Sequence, residues 1–195
     1  MKQFIKIIGF ILIMTGNSMA QSFYNFSIND IDGNTIDLKQ FEGRPVLLVN
    51  TASRCGFTKQ YANLSNLHQM YLDKNLVIIS TPSNSFRQEL SEEEDVKEFC
   101  LVNYQTKFLL TEIIDVKGAN AHPLYKWISD DYGKSPKWNF NKFLFDGQGQ
   151  LIENWSSITK PDSKKITSII DRVTPIRSVG CIGKSSCAKF RNSFR

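Results

Sequence analysis

Pro45-Val46-Leu47-Leu48-Val49-Asn50, continuing as Thr51-Ala52-Ser53-Arg54-Cys55-Gly56-Phe57-Thr58, is the stretch that decides the fold. Val46 to Val49 is a continuous apolar run, which suits a strand buried on both faces of a sheet better than a half-solvated edge strand. From about Phe57 to Lys74 the apolar residues Tyr61, Leu64, Leu67 and Tyr71 recur at helical spacing, so the strand feeds directly into an amphipathic helix. Cys55 stands at the junction. Unpaired N–H groups and the macrodipole at a helix N-terminus favour an anionic sulfur there, and Arg54 adds positive charge. The thiolate is the form that attacks a peroxide oxygen. Position alone leaves a second reading open, an inert half-buried cysteine.

Working outward, Leu76 to Ser80 supplies another buried strand, and upstream Phe23–Ile28, Asp32-Gly33 and Thr35–Leu38 read as a short hairpin. Ser91 followed by Glu92, Glu93 and Glu94 has the form of a capping box opening a helix to about Tyr104. Phe108 to Ile114 is a further apolar, extended stretch. His122-Pro123 opens a helix to about Tyr132, proline being tolerated in a first turn. Phe140–Phe145, Asp146-Gly147 and Gln150–Trp155 read as an antiparallel hairpin, and Pro161–Val173 as the last helix. This order predicts an α/β protein: a central mixed β-sheet flanked by helices on both faces, with an N-terminal β-hairpin, thioredoxin-like in outline.

The two ends differ from this body. Lys2 and Lys6 flank an apolar run, Ile7 to Met14, and Ser18 and Ala20 are small at cleavage-site spacing, so residues 1–20 read as a secretory signal peptide. The run is about half of the ~20 residues that a membrane span needs. A retained N-terminal anchor is the competing reading. The expected product is exported without stable membrane insertion, to the periplasm in a diderm bacterium and otherwise secreted. The formal charge of +5 suggests nucleic acid, but residues 21–172 hold 17 Lys/Arg against 19 Asp/Glu. The basicity sits in the tail, residues 174–195, where Arg177, Lys184, Lys189, Arg191 and Arg195 face no acidic residue. A solvated extension is the plain reading, an anionic surface the sharper one, and no nucleic-acid role is expected of the domain at 21–173.

Asn50 to Thr58 resembles the nucleophile segment of glutathione peroxidases, with Cys55 where some members carry selenocysteine. Trp138-Asn139-Phe140-Asn141-Lys142-Phe143-Leu144 is similar to the same family's Trp-Asn-Phe segment. The resemblance runs from about Phe23 to Val173 and includes Glu42-Gly43, Ala121–Tyr125 and Asp146-Gly147. It implies a thioredoxin-like thiol peroxidase that reduces hydrogen peroxide or organic and lipid hydroperoxides. Cys55 is then the peroxidatic residue, and the side chains of Trp138 and Asn139 donate hydrogen bonds to its sulfur. The sequence departs from the family where Pro82-Ser83-Asn84-Ser85-Phe86 replaces Pro-Cys-Asn-Gln-Phe, so Ser85 holds the position of the catalytic Gln. A serine hydroxyl is a donor with a shorter reach. The following stretch, Phe86-Arg87-Gln88-Glu89, is one residue shorter than usual, and Gln88 or Asn84 is the substitute expected from a rearranged loop.

Cys100, beside Phe99 and one turn after Val96, reads on spacing as a buried core cysteine. The resemblance implies another role, because Glu98-Phe99-Cys100 with Asn103-Tyr104 and Phe108 looks like the segment that holds the resolving cysteine in non-selenium members. Cys55 sulfenic acid then condenses with Cys100, and a thioredoxin-like protein or glutathione resets the pair. The chain lacks the extra loop of tetrameric members, which implies a monomer. Cys181 and Cys187 lie outside the resemblance, and a local disulfide is their expected fate in an oxidising compartment. No cofactor and no metal site is expected; His68 and His122 are the two histidines, and both read as structural. Two other functions compete. A thiol-disulfide oxidoreductase normally needs Cys-x-x-Cys, and position 58 is Thr; a catalytically weak sensing or binding member draws its support from Ser85.

Overall fold

The computed structural model describes residues 21–174. The signal segment, the tail and the Cys181/Cys187 pair lie outside the described residues. In chain order the elements are β1 (Ser27–Asn29), β2 (Thr35–Asp37), β3 (Val46–Thr51), α1 (Gln60–Met70), β4 (Val77–Pro82), α2 (Glu93–Tyr104), β5 (Leu109–Leu110), α3 (Pro123–Tyr132), β6 (Lys142–Phe145), β7 (Leu151–Trp155) and α4 (Lys164–Val173). β1 and β2 form a separate antiparallel hairpin, while the central sheet has the order β5-β4-β3-β6-β7. β3 pairs in parallel with β4 and β4 with β5; β6 and β7 run antiparallel. This is the thioredoxin-like arrangement.

Every residue of β3 and β4 is buried, as the unbroken apolar runs require. Period-two alternation then divides the core. Leu47 and Val49 face α1, α2 and α4, meeting Leu64, Leu67, Val96, Ile166 and Ile170. Val46 and Leu48 face the other way, onto Phe23, Leu124 and Ile128, so α3 and the N-terminal segment cover the second face. Each such fully buried Leu, Val or Ile contributes about 1.5–3 kcal/mol relative to exposure.

Several local expectations change. The helix expected from Phe57 begins at Gln60, because Thr58 N and Gln60 N close turns on Cys55 O and Phe57 O. Cys55 therefore lies in a turn five residues before α1 and not at its first turn. The Ser91 capping box does not form: Glu92 is the N-cap and no side chain caps α2. Phe23–Asn25 is a 3-10 turn, and of the Phe108–Ile114 stretch only Leu109–Leu110 pairs as strand. In the second hairpin the positive φ of 76° falls at Gly149, not Gly147. There the Asp146 carboxylate accepts from Gln148 N and Gln150 N, and a Cβ on residue 149 would lie 2.9 Å from the Tyr24 ring. No helix among the described residues is long and apolar enough to cross a membrane.

Candidate active site

The site gathers where β3 ends. Asn50, fully buried, is the staple between the two sequence motifs: its Nδ2 donates to Trp138 O at 3.0 Å and its Oδ1 accepts from Asn141 N at 3.0 Å. Phe140 N also donates to Asn50 O. These bonds hold Phe140 at φ 61°, a left-handed conformation that bulky residues rarely adopt. Such strain persists only where surrounding contacts impose it. Its effect is to turn Asn139 inward, to zero exposure, while Trp138 stays 42% exposed and stacks obliquely on Phe86 at 5.3 Å. Ser157 Oγ completes the hold by donating to Asn139 O at 2.5 Å.

Cys55 is 9% exposed, and Phe57 N donates to its Sγ at 3.4 Å. The favourable dipole that the helix end was expected to provide comes from this turn amide. Thr58 stands where a Cys-x-x-Cys protein would carry its second thiol. Its hydroxyl accepts from Cys55 N at 3.0 Å and lies 2.8 Å from Ala52 O and 2.7 Å from Cys55 O. The Cys55 turn is thereby fixed by a hydroxyl.

The loop after β4 supplies the remaining residues. Arg54 N donates to Gln88 O at 2.8 Å, which seats Gln88 against the cysteine turn. Gln88 Oε1 accepts from Asn139 Nδ2 at 2.9 Å. The amide that the resemblance directs at the sulfur is thus engaged with Gln88 in this structure, and the hydrogen bond to Cys55 Sγ comes from Phe57. Ser85, at the family Gln position, faces elsewhere. Its Oγ donates to Asp115 Oδ1 at 3.0 Å and accepts from Val116 N at 3.0 Å, so it fastens the loop to the segment before α3. Asn84 is exposed and caps its own loop through Glu89 N. Of the two substitutes expected for the missing Gln, the structure brings Gln88 to Asn139.

Cys100 is fully buried in α2, in the same apolar cluster as Cys55, and both thiols are free. Burial pushes the Cys100 thiol up to about 12, against an opposing pull from the Tyr61 hydroxyl. The two histidines are packed as expected: His122 Nδ1 accepts from Leu124 N at 3.2 Å, and the His68 ring lies edge-on to Phe108. A cleft of about 510 Å³ is lined by Phe57, two residues after the thiol, and by Lys134, Lys137, Trp138, Asn141 and Ile158. Asn50, Glu89 and Tyr61 are the site residues to which sequence reasoning gave no role. A buried Asn ending a central strand was the available signal for the first; nothing in the sequence distinguishes Glu89 from a surface glutamate.

The family model described as glutathione peroxidase matches residues 23–129, which hold Cys55, Gln88 and Cys100. The chain is 40% identical over 162 residues to glutathione peroxidase-like peroxiredoxin 2 of Saccharomyces cerevisiae, covering 79% of this chain and 100% of that one. It is 40% identical over 155 residues to a hydroperoxy fatty acid reductase of Synechocystis, covering 72% and 90%. The structure described as Trgpx in apo form superposes with a TM-score of 0.62 at 35% identity, over 80% of this chain and 100% of that one. With a family model matched over more than half of the chain and curated relatives at 40% identity, the chain belongs to the glutathione peroxidase family and is a thiol peroxidase.

Proposed function

We propose that the protein reduces hydroperoxides by attack of the Cys55 thiolate on the distal peroxide oxygen, giving a Cys55 sulfenic acid and water or an alcohol. Cys100 then condenses with that acid, and a thioredoxin-like dithiol, or glutathione, resets the disulfide. The observation that carries this reading is the Cys55 turn, where a nearly buried sulfur accepts the Phe57 amide and the neighbouring Arg54 N holds Gln88, the partner of Asn139. Gln88, not Ser85, stands in for the family amide, since Ser85 is spent on Asp115 and Val116. α2 must open locally to deliver Cys100, which is fully buried in it.

The cleft supports organic hydroperoxides as substrates. Phe57, Trp138 and the 80% exposed Ile158 present apolar surface in the cleft, and Lys134 and Lys137 present charge for an acyl carboxylate. The Synechocystis relative is named for that chemistry. Export, the monomeric state and the tail disulfide belong to the same reading and rest on the sequence. Thr58 in place of a second cysteine separates the protein from thiol-disulfide oxidoreductases.

The test is intact-mass analysis with peptide mapping of the reduced protein after one equivalent of hydroperoxide, wild type against Cys100→Ser. A Cys55–Cys100 disulfide in the former and a trapped Cys55 sulfenic acid in the latter are expected. Absence of oxidation at Cys55, under conditions that oxidise an ordinary exposed thiol, refutes the reading.

A further inference from the structure

Glu89 has no part in the peroxide step proposed above, yet it is only 5% exposed. Its Oε1 accepts two backbone amides, Ser53 N and Leu90 N, each at 2.9 Å. Its Oε2 is buried without a hydrogen-bond partner among the described residues, and so are the hydroxyls of Ser53 and Tyr61. Unpaired buried polar atoms are rare in folded proteins, and three gathered in one region call for a use. They do form one region. Glu89 is bonded to Ser53 N, Tyr61 and Cys100 lie in one apolar cluster with Cys55, and the Glu89 charge holds the Tyr61 hydroxyl and the Cys100 thiol towards their protonated forms. Arg54 is the remaining charged group that acts on Glu89.

We propose that Glu89 accepts the proton of the Cys100 thiol as Cys100 condenses with the Cys55 sulfenic acid, with the Tyr61 hydroxyl stabilising the emerging thiolate; this rests on the reading of Cys100 as the resolving cysteine. The Cys100 S–H bond breaks and its proton passes to the Glu89 carboxylate. The Cys100 sulfur attacks the Cys55 sulfur, an S–S bond forms as the S–O bond breaks, and hydroxide leaves. The proton held by Glu89 returns to that hydroxide as water. One electron pair oxidises the Cys100 sulfur and reduces the sulfenic sulfur, so no further oxidant enters.

The tether explains why this carboxylate can take that proton. Glu89 is fixed to the backbone of Ser53, two residues before Cys55, and so belongs to the peroxidatic turn and not to α2. As α2 opens and Cys100 approaches Cys55, it approaches its proton acceptor by the same movement. A carboxylate at the Cys55 turn gives this thiol a local proton acceptor, where apolar surroundings otherwise disfavour its anion.

The experiment follows both phases of one stopped-flow trace on the full mature chain: oxidation of Cys55 by hydroperoxide, then condensation with Cys100. In Glu89→Gln, whose Oε1 keeps both amide bonds, the second phase is expected to slow about a hundredfold, in the range for loss of a general base. Its rate should then climb roughly tenfold per pH unit from pH 6 to 9, because only the preformed thiolate reacts. Glu89→Asp should recover part of the loss. A second phase at the wild-type rate in Glu89→Gln overturns the assignment to Glu89, as does equal slowing of both phases with the wild-type pH profile. If wild type forms no Cys55–Cys100 disulfide by peptide mapping, the resolving role of Cys100 itself fails.

Discussion

Asn50→Ala tests the staple that joins the two motifs. The substitution removes the Nδ2 bond to Trp138 O and the Oδ1 bond from Asn141 N. Trp138 O keeps a second partner, Asn141 Nδ2 at 2.7 Å, so this loss costs only the net value of one hydrogen bond, about 0.5–1.5 kcal/mol. Asn141 N has no such reserve and is left unpaired in a buried residue, which costs about 1–3 kcal/mol. The sum, centred near 3 kcal/mol, corresponds to a fall in Tm of roughly 6–12 °C for a domain of this size. The positive φ of Phe140 is sustained by the same contacts, so Asn139 should lose its inward orientation and the peroxide step should slow with the stability loss. Urea unfolding of reduced protein measures the first effect, with a lower midpoint at an unchanged m-value. Asn50→Asp sharpens the test. It keeps the acceptor for Asn141 N but turns an oxygen towards Trp138 O, so it should destabilise at least as much as Ala at pH 7 and recover as the carboxyl protonates. A loss below about 0.5 kcal/mol in Asn50→Ala, within the usual range of surface changes, would refute the reasoning.

Gln88→Ala should slow oxidation of Cys55 by hydroperoxide about a hundredfold through loss of the Asn139 partner, in line with the cost of misplacing one catalytic donor. Ser85→Ala should leave that step within about twofold while costing roughly 1–2 kcal/mol in urea unfolding, since Val116 N loses its acceptor. Lys142 is fully buried and its amine is pushed down to about 7 by burial, so the unfolded chain binds more protons than the folded one between there and the ordinary value near 10.4. Stability of wild type relative to Lys142→Met should therefore rise with pH across that window, and urea midpoints at pH 7 and 9.5 that move the other way would contradict it. Gly149→Ala should cost about 1–3 kcal/mol, because the residue holds φ 76° and its new Cβ would press on the Tyr24 ring, and thermal unfolding reads the loss.

The fold was legible because its signals are local and redundant. Val46 to Val49 and Val77 to Ile79 are apolar runs that only a doubly covered sheet can bury, and the 3.6-residue spacing of Tyr61, Leu64 and Leu67 names a helix beside them. Element ends were less legible. The choice between Ser91 and Glu92 as N-cap, or between Phe57 and Gln60 as helix start, is decided by a few hydrogen bonds that competing residues offer equally well.

What the sequence by itself determined is the family, the place of the candidate nucleophile Cys55 after the central strand and the Trp138-Asn139-Phe140 motif, because each depends on residue identity at short range. It also marked position 85 as anomalous and offered Gln88 or Asn84 as a substitute. Only the tertiary structure decided that Ser85 turns to Asp115, that Gln88 meets Asn139, and that Asn50 ties both motifs together. Those partners lie 30, 51 and 91 positions apart along the chain. The direction of a side chain across such separations is set by which loop packs against which, and no local pattern encodes that choice. Glu89 is the clearest case: an unremarked glutamate in sequence becomes a buried carboxylate because the chain folds Ser53 onto it.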